Sequence, residues 1–98
     1  MTQKETKNYL INEYANAYIK KYLLVKLGGA SSWQLGYYTG IMEMARELYA
    51  RINNQRYVLD AEEYLRKIAH IRYTKYKYEH SNDVKDIENV LKTNFKVD

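Results

Sequence analysis

The sequence predicts an all-α fold: a compact bundle of three longer helices plus one short C-terminal helix, with residues 1–98 forming a single domain. Three observations predict it. None of the 98 residues is proline, so no residue interrupts a helical hydrogen-bond ladder from within. Apolar residues recur at three- and four-residue spacing over long stretches, the period of a helix that buries one face. The breaks between those stretches are Gly28-Gly29, Ser31-Ser32 and Asn53-Asn54, residues that end or begin helices.

The first helix is expected from about Gln3 to Leu27. Leu10, Tyr14, Ala17, Tyr18 and Val25 line one face, widened by Ile11, Ala15 and Tyr22. Ile19, Leu23 and Leu27 form a further stripe on nearly the opposite side. A helix apolar on most of its circumference is either the centre of a bundle or has one face committed to a partner. Ile19, Leu23 and Leu27 are therefore either covered by the fourth helix or the candidate face of a homodimer. Gly28 and Gly29 end the helix, because glycine adopts positive φ without steric cost.

The second helix starts at Ser31 or Ser32, where Ser31 and Gln34 fit a capping box. Tyr37, Ile41, Met44, Ala45, Leu48 and Ile52 are expected on its inner face, and Asn53 and Asn54 tolerate the left-handed geometry that would end it. Gln55 to Leu59 reads as a connector. Asp60 then opens the third helix, with Asp60 and Glu63 as an acidic capping box and Leu59 stapled onto Tyr64. Ala61, Tyr64, Leu65 and Ile68 point inward. Past Ile71 the pattern degrades, since Arg72 and Lys75 fall on the core arc. A helix projecting beyond the bundle is the favoured reading there, and a short strand over Lys75-Tyr76-Lys77-Tyr78 is the alternative. The fourth helix, about Asn82 to Asn94, carries Val84, Ile87, Val90 and Leu91 at helical spacing. Asp83 and Asp86 sit in its first turn, where the dipole favours acids, and Phe95 anchors the tail.

Composition narrows the function. The chain has no cysteine, which excludes disulfides, thiolate zinc sites and thiol catalysis. Its longest uncharged stretch, Leu27 to Met42, contains four glycines and two serines and is no membrane span. The polar start, MTQKETKN, reads as no signal peptide, so a cytoplasmic protein is expected. Sixteen Lys and Arg against 12 Asp and Glu leave a formal charge of +4, mildly basic and short of a nucleic-acid signature by itself. Tyrosine is the oddity: 12 Tyr stand against one Phe and one Trp. Each ring brings a hydroxyl that wants a partner or water, so a Tyr core must keep its rim wet or supply acceptors.

No constellation for catalysis is found. His70 and His80 are about 15 Å apart along one helix, too far to share an ion, so neither a metal nor a cofactor is expected. Glu43 and Glu47 stand one turn apart and could in principle act as acid and base, but the preferred reading pairs Glu47 with Arg51, and Glu43 with Arg46 or a neighbouring helix. The serines sit at or near helix starts, where capping accounts for them, and no nucleophile elbow or phosphate-binding loop is present. Gly36 and Gly40, two helical glycines each costing about 1 kcal/mol relative to alanine, imply close packing of another helix or a notch for a partner. The turn Leu27 to Trp33 would fit a helix-turn-helix, but the helix after it offers no basic residue before Arg46, a poor recognition helix.

The strongest candidate is the basic, Tyr-rich end of the third helix. From Arg66 to Tyr78 there are five Lys or Arg and no acid. Arg66, His70, Arg72, Tyr73, Lys75, Tyr76, Lys77 and Tyr78 are the candidate partner-binding residues. Tyr and Arg are enriched in protein hot spots, while basic side chains with interleaved rings also suit phosphates and bases. The expected function is non-enzymatic binding of a protein with an acidic surface, as an inhibitor or adaptor. A nucleic acid is the alternative partner, and no membrane is expected. A small, cofactor-free, Tyr-rich basic chain is in the style of phage and mobile-element accessory proteins, anti-defence inhibitors included.

Overall fold

The computed structural model describes residues 2–53, 58–79 and 86–95, with the backbone alone at Val58, Tyr78 and Glu79. Every regular element among them is a helix: α1 Gln3–Leu27, α2 Ser32–Ile52, α3 Val58–Glu79 and α4 Ile87–Lys92. The local chemistry sets the ends. Thr2 and Glu5 form a reciprocal capping box at the start of α1, and Ser31 and Gln34 form another at the start of α2. Each box satisfies amides that a helix start leaves unpaired. Gly28 and Gly29 take φ of 75° and 81° between them, the region closed to most side chains.

α1 is the central helix, with α2, α3 and α4 all packed on it. α2 runs antiparallel to α1: Ile52 O accepts from Gln3 Nε2 at 2.9 Å at one end, and Lys20 Nζ lies 5.6 Å from the centre of the Tyr38 ring nearer the other. α3 runs parallel to α1, since the His70 Nδ1 meets the Tyr18 hydroxyl at 3.3 Å and the Tyr73 ring meets Tyr22 further along both helices. Ile19, Leu24, Leu65 and Val90 are the largest fully buried side chains. The radius of gyration, 13.7 Å, is close to the ~13 Å of a folded chain this long.

α4 and the segment after it lie along α1 on the arc of Asn16, Ile19, Lys20 and Leu23. Asn16 Oδ1 accepts from the Phe95 amide at 2.8 Å, and Lys20 Nζ donates to Leu91 O at 2.9 Å. Ile19 is fully buried and Leu23 packs against the core, while Leu27 stays exposed. The expected dimer face is thereby corrected: the fourth helix covers most of it. Lys20 is the one charged residue in the buried set among the described residues. Burial lowers its pKa, opposed by Glu13, and the α4 carbonyl offsets part of the lost hydration.

Other expectations shift. In α2 the buried side chains are Tyr38, Ala45, Tyr49 and Ala50, with Leu35, Ile41, Met42 and Ile52 partly covered. Tyr37, Met44 and Leu48 are exposed, so the helix is rotated about its axis relative to the expected face. Asn53 ends α2 at φ −88°, without left-handed geometry. α3 begins at Val58, so Asp60 lies inside its first turn instead of capping it. Leu59 is exposed, as is Tyr64, whose ring stacks on Tyr49 at 5.7 Å. Val25 of α1 is exposed too. α4 is shorter than expected, capped at Asp86, whose carboxylate accepts from Asn89 N at 2.8 Å; Asp83 and Val84 lie outside the described residues.

Candidate functional site

α3 holds the candidate residues, and its two faces have separate fates. Ala61, Leu65, Ala69 and Tyr73 are buried against the bundle. Helix continues through residue 79, so the strand alternative for the basic segment is set aside. Arg66, His70, Lys75 and Lys77 stand on the outer arc, all exposed.

Three of the eight candidates turn inward. Tyr73 is 8% exposed, its ring 5.1 Å from that of Tyr22. Tyr76 is half-buried, edge-on to Phe95 at 4.8 Å. Arg72 donates from Nη1 to Asn12 Oδ1 at 2.6 Å, which is how a guanidinium fits on the core side of a helix. The C-terminal half of α3 therefore does not project as a free, two-sided surface. The side chain of Tyr78, and all of His80, lie outside the described residues.

The outer arc also contains residues that the sequence pattern did not single out. Lys67 is exposed beside Arg66. Tyr64 and Ile71 are 46% and 59% exposed, and helical spacing puts them in line with Lys67 and Lys75. Among the described residues, Arg66, Lys67, Lys75 and Lys77 enter no ion pair; the pairs present are Arg46 with Glu47 and Glu62, and Lys92 with Glu88. The arc is thus a cationic surface with two apolar side chains set into it.

Other candidates do not assemble into a site. Gly36 and Gly40 have nothing within 4 Å of where a Cβ would stand, so no helix of this chain packs closely on them and that expectation is corrected. Glu43 is exposed and lines a recess of 150 Å³ with Tyr14, Arg46 and Glu62, while Glu47 lies outside the lining. That recess does not bring the two carboxylates together. An open apolar recess of 210 Å³ lies over Tyr18, Lys21, Tyr22, Val25 and Met42. Among the described residues no group of three His, Cys, Asp or Glu could hold a metal ion, and no helix is long and apolar enough to cross a membrane.

Four tyrosines of the core are held neutral by their burial. Tyr14, Tyr18, Tyr38 and Tyr49 have raised pKa values, burial being the first cause in each. At Tyr14 the Glu62 carboxylate adds to the rise; Arg66 and Arg46 oppose it. Tyr rings follow one another from Tyr14 through Tyr18 and Tyr22 to Tyr73, so much of the Tyr excess serves the α1–α3 contact.

No protein-family model, curated protein or solved structure matches the chain.

Proposed function

We propose that this chain is a non-enzymatic protein-binding module that engages an acidic surface of its partner with the outer arc of α3. An inhibitor or adaptor of the mobile-element kind is the form of such a module that the composition favours. One observation carries the reading: Ile71 and Tyr64 are exposed by 59% and 46% amid Arg66, Lys67, Lys75 and Lys77, none of them ion-paired among the described residues. Apolar anchors in a cationic frame suit a protein surface that offers both an apolar patch and carboxylates. The anchors lose water on contact, and the charges steer the encounter.

The same charges attract phosphates. A single strand would also want several rings to stack on, and on this helix Tyr73 is buried and Tyr76 half-buried against Phe95, leaving Tyr64 as the exposed ring among the described side chains. The protein reading is therefore preferred.

The test uses fluorescence anisotropy with two probes, a labelled peptide alternating glutamate with leucine and a labelled DNA duplex. The peptide should bind, and the triple variant Lys67→Glu, Lys75→Glu, Lys77→Glu should weaken it at least about tenfold, the scale of one or two charge contacts. Ile71→Ser should weaken it as well, with helical circular dichroism unchanged. No peptide binding, or binding indifferent to the charge reversals, refutes the proposal. A duplex bound more tightly than the peptide and untouched by Ile71→Ser would transfer the function to nucleic acid.

A further inference from the structure

The rotation of α2 leaves an apolar stripe on its outer side. Trp33 is 76% exposed, Tyr37 55%, Met44 57% and Leu48 38%. The Trp33 and Tyr37 rings stack at 5.9 Å, and Tyr38 holds Tyr37 edge-on at 5.2 Å. The aromatic end is thus ordered before any partner arrives, which limits the entropy lost on contact. Between the bulky residues Gly40 carries no side chain and has open space above it, so a second backbone can come close.

The stripe has a symmetry of its own. Trp33 and Leu48 are equally far from the midpoint between Gly40 and Ile41, and so are Tyr37 and Met44. A twofold axis through that midpoint, with two α2 helices antiparallel, sets Trp33 of each copy on Leu48 of the other and Tyr37 on Met44. Each ring meets an aliphatic side chain or a thioether, and the glycines meet at the axis. Such self-complementarity is what an isologous interface needs.

Charge gives the same orientation. Glu43 and Glu47 flank the stripe in the C-terminal half of α2, and its first turn holds no acid. Antiparallel pairing lays these carboxylates beside the N-terminal half of the other α2, the end where a helix dipole favours negative charge. Parallel pairing would line up four carboxylates.

We infer that the outer face of α2 is a homodimer contact, two copies crossing antiparallel at Gly40. The four stripe residues expose roughly 450 Å² per copy, taking their exposed fractions of large side chains. With the flanking residues this approaches the ~800 Å² per partner of a standard interface, which places the dimer at the weaker, concentration-dependent end. The interface is independent of the α3 surface, so either can fail alone.

The experiment is sedimentation velocity over a concentration series, joined to cross-linking. The wild type should pass from monomer to dimer as concentration rises. Gly40→Leu, which fills open space in a folded monomer, and Met44→Glu should each leave only monomer with helical content intact. Because the chain has no cysteine, Gly40→Cys alone should form a covalent dimer on mild oxidation. Leu48→Cys alone should not, since antiparallel pairing holds the two copies of that position about 22 Å apart. Monomer at every concentration overturns the inference, as does a dimer that survives both Gly40→Leu and Met44→Glu. Cross-linking through Leu48→Cys instead of Gly40→Cys overturns the antiparallel register.

Discussion

Ile19 distinguishes a core position from a contact between copies. Its side chain is fully buried, on the arc of α1 where α4 is held through Asn16 and Lys20. Ile19→Ala removes three carbons, and at about 0.8 kcal/mol each the lost transfer energy is ~2.4 kcal/mol. The cavity left behind adds to this and brings the loss toward the 2–5 kcal/mol range typical of such truncations. A domain of about 100 residues has roughly 5–15 kcal/mol of stability in all, and 1 kcal/mol moves its melting temperature by about 4–8 °C. The midpoint should therefore fall by about 10–25 °C. Leu27→Ala, on the same stripe but exposed, should lose less than about 1 kcal/mol. Thermal melts followed by circular dichroism measure both, and sedimentation at matched concentration reads the oligomer. If Ile19→Ala melted within a few degrees of wild type while turning a dimer into a monomer, α4 would not cover this arc, and the stripe would be an interface.

Three further outcomes are expected. The four core tyrosines with raised pKa values ionise at the ordinary value of 10.0 when unfolded, so their contribution to stability is complete below that pH and is lost as the pH climbs through their folded values. Lys20, its pKa lowered from 10.5, works the other way, since burial of its neutral form is less costly. With four groups against one, the melting temperature should drop above about pH 10 together with a cooperative rise in tyrosinate absorbance; a midpoint flat to about pH 11 would contradict this. Gly36→Ala and Gly40→Ala should each stabilise the monomer by about 1 kcal/mol in urea melts, since both glycines are helical and meet open space; destabilisation would mean an unseen close contact. Ser31→Ala deletes the oxygen that accepts from Gln34 N at 3.1 Å and should cost about 1 kcal/mol, with no change expected from Ser32→Ala, one residue on.

The C-terminal end of α1 and the start of α2 were legible because their signals are local: a glycine pair at one, a Ser-x-x-Gln box at the other. The face of α2 was harder to read. Tyr37 lies beside Tyr38, Met42 near Met44 and Leu48 beside Tyr49, so two rotations of the helix bury nearly equal apolar surface, and only packing against α1 selects one. The polar residues on the core side of α3 and α1 were hard to read for a different reason. Arg72 finds its acceptor on Asn12, and Lys20 finds Leu91 O, partners that are distant in sequence and invisible to any local window. The basic character of the candidate surface was evident from composition, whereas its division into an outer arc and three inward side chains depended on which rings the α1 tyrosines would claim.

Gly29 joins two parts of the molecule that otherwise share little. Its φ of 81° lets the chain leave α1 and enter α2, and a Cβ there would stand 3.5 Å from Ile87 Cδ1, at the first turn of α4. A side chain at this single position would meet both a strained backbone and the clip formed by the C-terminal helix. The turn of the α1–α2 hairpin and the seat of its clasp are one residue: a Cβ there would touch Ile87 at ordinary contact distance, so the cost of a side chain falls on the backbone of the turn and not on the clasp.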